Sequence, residues 1–186
     1  MSEYIMKTPL DDKVTSELKS GDRVKITGKI YTARDAAHKK LIDLLSEGQA
    51  LPIEIKDQVI YYAGPAPAKP GYVIGPAGPT TSGRMDNLTV PLLEVGLKGV
   101  IGKGVRSSTV KEGLMKYKAV YFAAVGGAAA LLSQKIKKAK VVAFPELGPE
   151  AIFELEVEDF PVVVVNDIYG NDLYTMGVQN YLENER

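Results

Sequence analysis

Residues 119–144 read AVYFAAVGGAAALLSQKIKKAKVVAF. An apolar run of strand length covers 119–125. Gly126-Gly127 then opens a helix-forming stretch to Lys135, and 140–144 is a second apolar run. Strand, helix, strand in this order argues for an α/β fold. Downstream, 149–157 reads as a short helix. PVVVV at 161–165 is continuous and apolar, which suits a strand buried on both faces. YGND at 169–172 reads as a turn before a last extended piece near 173–174. Upstream, RVKITGKIY at 23–31 alternates and predicts a strand. TARD then opens a helix to about residue 47, with Leu41, Ile42, Leu44 and Leu45 on one face and Gly48 as its stop. Short strands are predicted at 58–62, 72–74 and 100–101. Helices are predicted at 85–96, with Leu88, Leu92 and Leu93 inward, and at 107–117, capped by Ser107 or Ser108. Residues 1–21 read as a polar lead-in. The expectation is one layered α/β domain over residues 1–186.

The chain carries 23 basic and 23 acidic side chains and a formal net charge of zero. Bulk binding to nucleic acid or to a membrane surface rests on excess positive charge, so both are disfavoured. There is no cysteine, which excludes disulfides, thiolate nucleophiles and cysteine-held metal clusters within this chain. His38 is the only histidine, so a self-contained zinc site or histidine-based triad is not expected, and no metal site is assigned. The N-terminal MSEYIMKTPLDD has no apolar core of signal-peptide length and no apolar run reaches membrane-spanning length, so a cytoplasmic location is the default expectation.

The segment 75–84, GPAGPTTSGR, holds three glycines, two prolines, three hydroxyl side chains and an arginine. Glycines let successive N–H groups converge. Thr80, Thr81 and Ser82 add neutral donors, and Arg84 adds a planar cationic fork suited to carboxylate or phosphate. The helix that follows points its N-terminal dipole at the same place. All four features favour an anion; the plainer reading is a turn with a solvated arginine. Arg34 stands at a strand-to-helix junction, where a cation is unusual. Its plainer reading is an ion pair with Asp35 or Asp43. Lys103, between Gly102 and Gly104, is either a ligand contact or an ordinary loop lysine. All three cations lie at strand ends, where α/β sheets bind ligands, and together they suit a small dicarboxylate. His38, one turn from Arg34, reads as a residue that supports it by hydrogen bonding. For GGAAA at 126–130, close packing by small residues is the plainer alternative to an anion site. KIKKAK at 135–140 reads as a solvated helix end.

TARDAAH at 32–38, GPAGPTTSGRMD at 75–86, IGKG at 101–104, AAVGGAAALL at 123–132 and AFPELGPEAIFELEVEDFPVVVVND at 143–167 occur in that order. In this they resemble the β subunit, or C-terminal domain, of class I iron–sulfur fumarases and L-tartrate dehydratases. The resemblance covers residues from about 5 to 175. It implies a swivelling β/β/α domain and reversible hydration of fumarate to (S)-malate. It implies an α subunit carrying a [4Fe-4S] cluster, held there and not by this chain, in an assembly such as α2β2. Carried over motif by motif, Arg34, Arg84, Lys103 and Thr81 would bind substrate carboxylates. Thr80 would be the catalytic base, helped by a carboxylate from the α side, with His38 and Asp86 behind these groups. Within the family, an L-tartrate dehydratase β subunit is the alternative. In another class, the alternative is a non-catalytic dicarboxylate-binding module.

Overall fold

The strand predicted at 23–31 forms as β2, Arg23–Thr32. Its side chains alternate as period two requires, with Val24, Ile26 and Ile30 buried. The structure, a computed structural model, describes residues 3–125 and 127–184. Three further parallel strands follow β2 across the sheet: β3 (Val59–Tyr61), β4 (Gly99–Gly102) and β5 (Val120–Ala123). β7, Ile152–Asn166, runs antiparallel and pairs with β5 on one edge and with β2 on the other. The ring β2-β3-β4-β5-β7 therefore closes on itself. β1 (Glu3–Lys7) is added alongside β2, and β6 (Ile136–Ala143) alongside β7. The expected layered sheet is a barrel-like closed sheet within one mixed α/β domain. Closure leaves the five ring strands no free edge in the ring.

Alternation along the strands divides the apolar residues into two cores. Val59, Tyr61, Ile101, Val120, Phe122, Leu155 and Phe160 share the first. Tyr61 and Phe160 meet edge to face there, with centroids 5.3 Å apart. Ile60, Tyr62, Val100 and Tyr121 point the other way, to the second core. That core is covered by α2 (Asp35–Ser46), α3 (Asp86–Glu94) and α4 (Ser108–Lys116). Leu41, Leu92 and Leu93 are buried in it as predicted, with Ile42 and Leu45 packed against it. Ser107 caps α4, its side chain accepting from the Val110 N–H.

Five sequence expectations about local structure are corrected. The polar lead-in contains β1 and α1 (Asp12–Glu17); Met6 is buried between exposed Ile5 and Lys7, too short a pattern to read alone. The helix expected at 149–157 is mostly strand. After a 3-10 turn at Pro145–Glu150, β7 already begins at Ile152. In IFELEVE the glutamates alternate with apolar residues, and pairing on both edges outweighs their helix propensity. KIKKAK lies mostly in β6, where Lys138 stands opposite Glu156 and pairs with it at 2.8 Å. The extended piece near 173 begins α6, Leu173–Asn184, and 72–74 is a loop outside the sheet. The helix predicted from Gly126 is α5, Ala129–Gln134. Gly126 itself, like residues 1 and 2, lies outside the described residues. No helix among the described residues is long and apolar enough to cross a membrane.

Candidate active site

The parallel ladder continues one step past the ends of β2, β3 and β4. Ala33 N–H donates to Tyr61 O at 3.1 Å, and Tyr62 N–H to Ile101 O at 2.8 Å. Three neighbouring strands thus end side by side, about 5 Å apart from one to the next. Arg34 follows the first end and Lys103 the third. Thr80 and Thr81 lie between them: Thr80 N–H donates to Tyr62 O at 2.7 Å, and Thr81 forms a bridge with Lys103. The 3-10 turn Ser82–Met85 then carries Arg84 and runs into α3.

The two arginines meet on one carboxylate. Arg34 Nε lies 3.2 Å from Asp35 Oδ2, and Arg84 Nε lies 2.9 Å from Asp35 Oδ1. The plainer reading of Arg34 as a partner of Asp35 therefore holds, and the same contact joins it to Arg84. Burial alone would push the Asp35 carboxyl up. Its own backbone N–H, the Arg34 hydrogen bond and the Arg84 charge outweigh that and hold it below the usual carboxylate range. Arg34 Nη2 also reaches Glu150 Oε1 at 3.3 Å. The other Glu150 oxygen accepts the Ala36 N–H at 2.9 Å, capping α2 from outside the helix. Gly64 makes room for this arrangement, because a Cβ there would lie 3.1 Å from Arg34 Cδ and 3.2 Å from the Pro149 carbonyl.

His38 lies beneath Arg34 and is fully buried. Its Nδ1 donates to the Arg34 carbonyl at 3.2 Å, since a carbonyl can only accept. Its ring stands edge-on to Tyr62, centroids 5.0 Å apart. Burial pushes its pKa down to about 4, so the imidazole is neutral and cannot serve as a general acid at neutral pH.

A second network lies beneath the threonine loop, and its centre is a residue the sequence reading missed. The Arg106 side chain is fully buried. Its Nε donates to Asp86 Oδ1 at 2.7 Å and its Nη2 to Thr89 Oγ1 at 2.8 Å. Its guanidinium sits 5.4 Å from the Tyr62 ring and 5.1 Å from the Tyr121 ring. Asp86 Oδ2 accepts the Ser107 N–H at 2.6 Å, so Asp86 ties the loop after β4 to the start of α3. Ser82 Oγ accepts the Lys103 N–H at 3.1 Å and donates to Tyr121, whose hydroxyl donates to Gly104 O at 2.8 Å. Gly102 permits the close approach, because a Cβ there would lie 1.9 Å from Ser82 Oγ. Nothing in GKGVRSS distinguishes Arg106 from a surface arginine.

The structure therefore brings Arg34, Thr80, Thr81, Arg84 and Lys103 to one rim of the barrel, with His38 and Asp86 below. Lys103 is exposed and has no carboxylate partner among the described residues. Thr80 is half-buried, and its hydroxyl makes no hydrogen bond to the described residues. GGAAA does not join this rim. The Ala77 N–H donates to the Ala129 carbonyl, and Gly78 packs on Ala129, in line with the close-packing reading. With two arginine forks, a lysine and hydroxyl donors, the rim suits a small dianion.

The family model for the fumarase C-terminus matches residues 4–177. The chain is 43% identical over 176 residues to fumarate hydratase 2 of Leishmania major, covering 91% of this chain and 31% of that protein. It is 46% identical over 165 residues to the anaerobic class I fumarate hydratase of Escherichia coli, covering 87% and 30%. A candidate L(+)-tartrate dehydratase subunit beta of Methanocaldococcus jannaschii is 41% identical over 171 residues, covering 89% of this chain and 88% of that protein. The chain thus spans about a third of the length of the two fumarate hydratases (31% and 30%) and most of the length of the subunit.

Proposed function

Because the chain belongs to the fumarase C-terminus family, we propose that it is the β subunit of a two-subunit hydro-lyase that reversibly hydrates fumarate to (S)-malate. One observation carries the reading. The two arginines, the lysine and the threonine pair converge on one rim, and both arginines rest on Asp35.

In the dehydration direction a proton leaves one carbon and hydroxide leaves its neighbour. Removing the proton pushes charge onto the adjacent carboxylate, and Arg34, Arg84 and Lys103 would stabilise that charge. Thr81, at the bridge to Lys103, would add a neutral donor. Thr80 is the proposed base. A threonine hydroxyl is weak alone and needs a carboxylate to take up its proton. Asp35 is engaged by two arginines, so this helper is assigned to the α subunit. Asp86 and His38 hold the loops.

A class I enzyme of this kind uses a [4Fe-4S] cluster as Lewis acid. This chain has no cysteine to hold one, and among the described residues no group of acids and histidine could bind a metal. The cluster is therefore assigned to the α subunit, in an α2β2 assembly, with this chain as the swivelling domain that closes on it. The match to a relative named as a subunit beta supports this division.

The test is co-expression with the α chain. The pair should be brown, oxygen-sensitive and active on fumarate, and the chain alone colourless and inactive. Turnover by the isolated chain refutes the division of labour. The Methanocaldococcus relative favours a second reading, tartrate dehydration to oxaloacetate. The relative kcat/KM of the assembled enzyme on malate and L-tartrate decides between them.

A further inference from the structure

Resting on the function just given, we propose that Asp35 is a positioning residue that orients both substrate-binding arginines at once. It takes Nε of Arg34 on one oxygen and Nε of Arg84 on the other. Glu150 takes Nη2 of Arg34. Among the described residues this leaves Nη1 of Arg34 and both terminal nitrogens of Arg84 without a carboxylate. A dianion can then be met by one free guanidinium edge from each arginine.

A competing role would be a plug, in which Asp35 occupies the substrate's own place. The geometry argues against it. A carboxylate standing in for substrate would take the terminal fork of an arginine with two parallel bonds. Asp35 instead makes one bond to each arginine, at the inner nitrogen. It sits in the first turn of α2, where the helix dipole favours its charge and the helix fixes its backbone. Free arginine side chains lose rotamer freedom when ordered. Arginines already held by a rigid anchor lose less on binding, and this preorganisation strengthens affinity.

The sign of the effect separates these roles. Removing the Asp35 charge makes the rim more positive, so a plug, or a purely electrostatic effect, predicts tighter dianion binding. Loss of positioning predicts weaker binding. A role in folding alone lowers the active fraction and leaves inhibition constants unchanged.

The experiment uses the assembled enzyme with Asp35→Asn. Its readout is competitive inhibition by succinate, a C4 dicarboxylate with no double bond to hydrate, and by its monoamide. The succinate Ki should rise about tenfold, the preference for succinate over the monoamide should shrink, and the thermal midpoint should stay within a few degrees. An unchanged or lower succinate Ki overturns the proposal. If Asp35→Asn does not accumulate, Asp35→Ser serves the same test. Arg84→Ala runs in parallel. If it raises the succinate Ki and Asp35→Asn does not, only the role of Asp35 falls. If neither variant changes it, the proposed function itself fails.

Discussion

Arg106→Met is the substitution whose cost can best be worked from the geometry. The native side chain is fully buried and donates to Asp86 at 2.7 Å and to Thr89 at 2.8 Å. Methionine fills much of the same volume but donates nothing. Asp86, only 14% exposed, would keep the Ser107 N–H and lose its cation. Breaking a buried pair by removing one partner costs about 3–5 kcal/mol. One correction lowers this. Arg106 Nη1 is buried without a partner among the described residues, so the native state already bears an unmet donor. Such a donor costs about 1–3 kcal/mol, which the substitution relieves. The net expectation is about 2 kcal/mol, or a fall in thermal midpoint of roughly 4–8 °C for a domain of this size. Adding Asp86→Asn removes the stranded charge and should recover about 1 kcal/mol or more. Circular dichroism melts and urea titrations of the parent, Arg106→Met, Asp86→Asn and the double variant read both quantities. A loss below about 0.5 kcal/mol for Arg106→Met, or a double variant weaker than additivity predicts, refutes the account of this network.

Thr80→Ala should leave stability unchanged and lower kcat of the assembled enzyme by about 10²–10⁴-fold; near-native turnover removes the threonine as base. Gly102→Ala places a methyl group 1.9 Å from Ser82 Oγ, so Ser82 must turn away from Tyr121 and Lys103. The expected cost is about 1–3 kcal/mol with a raised KM, and a variant with native stability and KM contradicts that packing. His38 has a pKa of about 4 in the folded chain, pushed down by burial, and an ordinary value near 6.5 when unfolded. The unfolded chain therefore takes up the proton first. The contribution is full above about pH 6.5 and shrinks as pH falls, with about 3 kcal/mol lost by pH 4. His38→Gln should flatten this slope, and an unchanged slope would assign it to other groups.

What the sequence made legible follows from the range of the interactions involved. The helix at Asp35–Ser46 and the buried Leu41, Leu92 and Leu93 depend on local periodicity, and one sequence displays that. The expectation that 75–84 suits an anion likewise rests on local chemistry, glycines, hydroxyls and Arg84 within ten residues. β7 was misread because a strand rich in glutamate is stabilised by what lies beside it: Lys29 on one edge and Lys138 on the other. Both partners are distant in sequence. Closure of the sheet was invisible for the same reason, since β2 pairs with β7 across more than a hundred residues. Arg106 was missed because its burial is set by Tyr62, just past the end of β3, and Tyr121 in β5, both distant in sequence. By contrast, Arg34 was marked by an incongruity that needs no partner to be seen, a cation at the start of a helix.

Closure of the barrel also bears on how the rim is built. A helix N-terminus leaves N–H groups unpaired, and an arginine there adds charge of the wrong sign. Two acids reconcile Arg34 with the start of α2. Asp35 comes from the helix itself, and Glu150 from the turn immediately before β7. β7 in turn is held along β2, with Tyr31 opposite Glu154 in the register. The strand that closes the sheet thereby delivers Glu150 to the end of the strand that delivers Arg34. Weakening the start of β7 should then act on the rim before it acts on the cores. Glu150 is the contact through which such a change would reach Arg34, and Asp35 the contact through which it would reach Arg84.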